Sequence, residues 1–131
     1  MTMASRLSVL LLSLVAILGL HAVSIMPKYD WYNQFWWLDW ILHFMGGAWV
    51  AYLFLVLRRR ARPIAIISFV FLIGIGWEVL EYMFNVPFFG VGEASFADSL
   101  WILDTLMDLF FDVIAAMLVA VFANRYTKGN V

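Results

Sequence analysis

The chain contains no cysteine. Disulfides, thiolate zinc sites, iron–sulfur clusters and cysteine nucleophiles are therefore excluded. Charge is scarce too: Asp, Glu, Lys and Arg make up 13% of the residues, against about a quarter in an ordinary soluble domain. There are two histidines, His21 and His43. They fall in different apolar segments, which argues against a bis-histidine haem. A Gly-rich phosphate loop is missing, since Gly74-Ile75-Gly76 lies inside an apolar run and reads as a packing motif. Ser68, Ser95 and Ser99 stand in no motif that would set a hydroxyl beside a histidine. The one basic cluster, Arg58, Arg59, Arg60 and Arg62, is a short turn between apolar runs and reads as a topology signal. No nucleic-acid partner is expected.

What remains is hydrophobic: 66% of the 131 residues. That composition belongs to an integral membrane protein, here a single membrane domain covering 1–131. A bilayer span needs about 17–25 mostly apolar residues. Four stretches qualify, at about 7–25, 37–57, 63–84 and 103–123. The expected fold is all-α, a polytopic bundle of four transmembrane helices. The first stretch also has a basic residue, an apolar run and Ala22-Val23-Ser24, the pattern of a signal peptide. Its apolar run is long for that role, and it reads as a retained helix.

Basic residues orient the bundle. Arg6, the Arg58–Arg62 turn, Arg125 and Lys128 share one side, and Lys28 alone lies on the other. The expectation is a multi-pass protein of the cytoplasmic (inner) membrane, N-in and C-in, with loops 26–36 and 85–101 outside. The first of these, PKYDWYNQFWW, reads as an interfacial aromatic belt. The lipid bilayer is the partner this implies, with a membrane-complex partner or a homo-oligomer left open.

The acidic residues then collect in the outer half. Asp39 opens the second span, with His43 one turn deeper. Glu78 and Glu81 end the third span, and Asp104, Asp108 and Asp112 descend the fourth. Each set is spaced by three or four residues and so shares a helix face. Gly46, Gly47, Ala48, Gly74 and Gly76 permit close approach of the backbones. Three such faces at one depth converge on a pocket. Asp39 and Asp104 also suit a helix start for its own sake, whereas Asp112 is the deepest.

Carboxylates within a bilayer cost at least about 2.5–3.5 kcal/mol each and are usually paired with bases or hydrated. No Lys or Arg occupies the outer half of any span. Three readings stay open: a bound cation, a protonated polar core, and hydrated helix ends. The first gives a candidate metal site of His43, Glu78, Glu81, Asp104, Asp108, Asp39 and Asp112. A divalent ion is the cofactor this calls for. Carboxylates with one imidazole suit Zn²⁺, Mn²⁺ or Fe²⁺, and carboxylates alone suit Mg²⁺ or Ca²⁺. His21 reads as an interior polar residue rather than a ligand.

The segments LDWILHFMGG, GWEVLEY and LDTLMDLFFD resemble the motifs of a family of small bacterial inner-membrane proteins typified by YjdF. They are similar, more loosely, to VanZ-like proteins. The resemblance runs from Asp39 to Asp112 and picks out Asp39, His43, Glu78, Glu81, Asp104 and Asp108. Members of that family have more spans and a different N-terminal part. The looser likeness implies a cell-envelope context. Three functions compete on these grounds. One is a metal-dependent membrane enzyme acting on an envelope or lipid-linked substrate, with Glu78 or Glu81 as general base. Another is a non-catalytic membrane subunit with a structural metal or polar core. The third is a cation or proton transporter, which the apolar inner halves AYLFLVL and IAAMLVAVFA disfavour.

Overall fold

The computed structural model describes residues 3–24, 26, 31–35, 37–58, 60–88 and 99–128. Among the described residues five helices follow one another: α1 (Met3–Ser24), the single turn α2 (Trp31–Gln34), α3 (Leu38–Leu57), α4 (Pro63–Phe88) and α5 (Ser99–Lys128). No strand occurs among the described residues. The four long helices are each long and apolar enough to cross a membrane. The all-α four-span expectation therefore holds. Lys28, Asp30 and Trp36 of the first expected outer loop, and 89–98 of the second, lie outside the described residues.

Helix limits follow local chemistry. Pro63 sits at the first position of α4, where its missing N–H costs nothing. Arg62 O accepts from Ala65 N at 2.9 Å and Ile66 N at 3.2 Å, which starts the helix. The backbone N–H of Arg58 donates to Phe54 O at 2.7 Å and closes α3. Both α4 and α5 outrun the apolar stretches that announced them, α4 reaching Phe88 and α5 running from Ser99 to Lys128.

The packing stripe on three helices has a step of four residues. On α3 it includes His43, Gly47 and Ala51; on α4 Ile66, Val70, Gly74 and Glu78; on α5 Asp108, Asp112, Ala116 and Ala120. All are buried. His43 meets Glu78 and Asp112, while Ala51 clusters with Ile66, Val70, Ala116 and Ala120. Thus α3 and α5 run parallel and α4 runs against them. One end of the three-helix core is carboxylate and imidazole; the other is small and aliphatic. With lipid outside, close packing rather than a hydrophobic drive holds such helices together, and Ala and Gly supply it.

Helix α1 is peripheral. It packs on α3, where Trp49 Nε1 donates to Leu10 O at 2.9 Å. Only 11% of its apolar window is buried, against 28% for those of α3 and α5. Side chains such as Leu11, Leu12 and Leu72 face outward, which suits lipid. Ser8 and Ser13 bond back to their own helix, to Ala4 O at 3.1 Å and Val9 O at 2.7 Å.

Candidate metal centre

His43 is the hub. It is buried on α3 with a carboxylate on each side: Nε2 lies 3.6 Å from Glu78 Oε1, and Nδ1 lies 3.5 Å from Asp112 Oδ2. Two sets of donor atoms gather around it, His43 with Glu78 and Glu81, and His43 with Asp39 and Asp108. In each set the atoms lie within 4.8 Å of one another. Three helices therefore contribute to one cluster.

Glycine makes the approach possible. A Cβ on Gly47 would stand 2.7 Å from Asp112 Cα and 2.8 Å from Asp112 O, so α3 and α5 touch backbone to backbone there. A Cβ on Gly74 would stand 2.6 Å from Asp112 Oδ2. Asp112 thus lies in a slot between two glycines, held against His43. Gly46 and Gly76, which read as contact residues in the sequence, meet nothing within 4 Å at the Cβ position.

The remaining oxygens are unevenly satisfied. Thr105 Oγ1 donates to Glu78 Oε2 at 2.9 Å. Glu78 Oε1 and Asp108 Oδ1 are fully buried and have no hydrogen-bond partner, although Glu78 is 6% exposed and Asp108 only 1%. Orphaned buried carboxylate oxygens are costly. Two of them beside an imidazole are what a cation would satisfy. Zinc bonds of about 2.0–2.1 Å at the tetrahedral angle separate neighbouring ligand atoms by about 3.4 Å, close to the 3.6 Å between His43 Nε2 and Glu78 Oε1. With an ion on the Nε2 side, Asp112 at Nδ1 would fix the ring and its tautomer, as outer carboxylates do for ligating histidines.

Six of the seven residues singled out from sequence, Asp39, His43, Glu78, Glu81, Asp108 and Asp112, come together in this cluster. Asp104 does not: it is exposed and belongs to neither set. Thr105 was missed. Its signal was present, because 105, 108 and 112 form an i, i+3, i+7 stripe, a better match to a helix of 3.6 residues per turn than 104, 108 and 112. His21 is half-buried beside the cluster, with its ring edge-on to Trp77 at 5.7 Å.

The comparisons with known proteins speak to the same architecture. A model of the family described as predicted membrane protein (DUF2238) matches residues 1–129. The chain belongs to that family. It is a multi-pass membrane protein with four candidate spans. No curated protein and no solved structure shows significant similarity to it.

Proposed function

We propose that this DUF2238 protein binds a divalent cation at His43, Glu78 and Glu81, with Asp108 and Asp39 alongside, and acts as a metal-dependent enzyme on a lipid-linked or envelope substrate. The observation that carries the reading is the pair of buried oxygens that accept no hydrogen bond, Glu78 Oε1 and Asp108 Oδ1, within a cluster centred on His43. Imidazole and carboxylate are donors that Zn²⁺, Mn²⁺ and Fe²⁺ all accept. Such an ion supplies Lewis acidity and lowers the pKa of a bound water or hydroxyl.

The residues divide the remaining work. Glu81 is the better candidate base, because it lines the cavity that a substrate would enter. Glu78 is more deeply buried, with one oxygen taken by Thr105. Asp112 positions His43. The excess of basic residues at the opposite end favours a site on the outer side of a cytoplasmic membrane. The resemblance of its three motifs to YjdF and VanZ-like proteins favours an envelope context. Transport is disfavoured by the packed plug of Ala51, Ile66, Val70, Ala116 and Ala120, which offers no polar atom past Asp112 among its side chains.

The test is metal stoichiometry. Protein purified in a nonionic detergent, stripped with chelator and titrated with Zn²⁺, Mn²⁺, Mg²⁺ and Ca²⁺, is expected to take up one of the first two. Glu78→Gln is expected to lose it. A chain that takes up none of these ions refutes the reading.

A further inference from the structure

A cavity of about 230 Å³ lies between α1, α3 and α4. Its two ends differ chemically. Asp39, His43 and Glu81 form one end, and Leu14, Val50 and Val70 form the other. From Glu81 to Val70 the cavity follows α4 for about 16 Å at 1.5 Å per residue. Leu18, Ile73 and Trp77 line it and are also 48%, 46% and 38% exposed. The cavity is therefore a cleft open sideways between α1 and α4, at the depth of hydrocarbon.

We propose that this cleft binds a single-chain lipid alcohol, with its chain along the apolar wall and its hydroxyl at Glu81 and His43. The proposal rests on the cation reading above and names the substrate class. Size sets the chain number. A dry cavity of about 150 Å³ holds a benzene, so 230 Å³ has room for one alkyl or prenyl chain inside the cleft. Charge sets the head. No Lys or Arg lines the cleft, and a phosphate or carboxylate head would meet Asp39, Glu81 and Asp112. An ammonium head matches those acids but has no lone pair to offer an ion. A hydroxyl has both parts: lone pairs for the cation and an O–H for a carboxylate. Gly46 lies in the wall with no atom within 4 Å of its Cβ position, which leaves the chain its room and gives a means of removing it.

Native mass spectrometry of the metal-loaded protein in nonionic detergent tests this, with 1-dodecanol, dodecyl phosphate and dodecylammonium as probes. Dodecanol is expected to stay bound to the wild-type chain. Gly46→Phe is expected to weaken it about tenfold or more, a loss of roughly 1.4 kcal/mol, while metal content stays at the wild-type level. Val50→Phe fills the same wall and serves if Gly46→Phe does not fold. Dodecyl phosphate or dodecylammonium binding as well as the alcohol overturns the proposal. So does dodecanol binding that ignores both substitutions, or a second copy of the chain found seated in the cleft. Metal retained without alcohol binding sinks the cleft alone. Alcohol binding that is sensitive to Gly46 in a chain that takes up no metal sinks the cation reading alone.

Discussion

Single residues separate packing from chemistry in this bundle. Gly46 and Gly47 are neighbours with opposite demands. An added methyl at Gly47 runs into the backbone of Asp112, which cannot swing aside as a side-chain tip can; at Gly46 it meets open space. Gly47→Ala is therefore expected to destabilise the fold by about 1–3 kcal/mol, the usual range for overpacking. Gly46→Ala is expected to be neutral, or to stabilise by up to about 1 kcal/mol from helix propensity. Melting of the two variants in the same detergent checks the contrast, and equal melting temperatures would mean that α3 and α5 do not touch there. Thr105 is a chemical case. Its hydroxyl is the hydrogen-bond donor to Glu78 Oε2. Thr105→Val should cost about 1–3 kcal/mol, because it leaves a second buried oxygen on one carboxylate without a partner. Thr105→Ser should restore most of that, a rescue that lost methyl packing would not give.

At the scale of the helix, the site is a matter of which stripe faces inward. On α5 the aspartates at 104, 108 and 112 share a face only loosely, since each four-residue step advances about 40° round the axis. Packing chose the stripe through Thr105, Asp108 and Asp112, and Asp104 is left about 75° from its centre. Asp104→Asn is therefore expected to leave metal uptake unchanged, whereas Asp108→Asn should weaken it at least about tenfold, as removal of a metal ligand or its close partner does. Calorimetric titration of both variants measures this, and equal losses would return Asp104 to the site. The same geometry decides what was legible from sequence. The four spans could be read because runs of apolar residues are long and uninterrupted, and the convergence of His43, Glu78 and Asp108 because the charges are so few that each stands out. The rotation of α5 could not be read. With apolar residues on every side of the helix, no amphipathic pattern says which face turns inward. The division of labour among the glycines was hidden for the same reason: Gly46, Gly47, Gly74 and Gly76 look alike until their neighbours are known.

On the scale of the whole molecule, polarity is separated by end. The carboxylates gather around His43 at one end of the core, and the arginine turn that joins α3 to α4 lies at the other. By the charge asymmetry the arginine end is expected in the cytoplasm, so a reporter fused after Lys128 is expected to be active only in a cytoplasmic form. A periplasmic C-terminus would move the acidic cluster to the inner side. The central claim is that the cluster is completed by a cation, and stability measures it most directly. A ligand that binds the folded state alone stabilises it by about 2.7 kcal/mol at a hundredfold excess over its dissociation constant. The chelator-stripped protein, melted in detergent with and without Zn²⁺ or Mn²⁺ at such an excess, should melt higher with the ion, and Glu78→Gln should erase the difference. A melting temperature indifferent to chelator and to both ions would contradict the account.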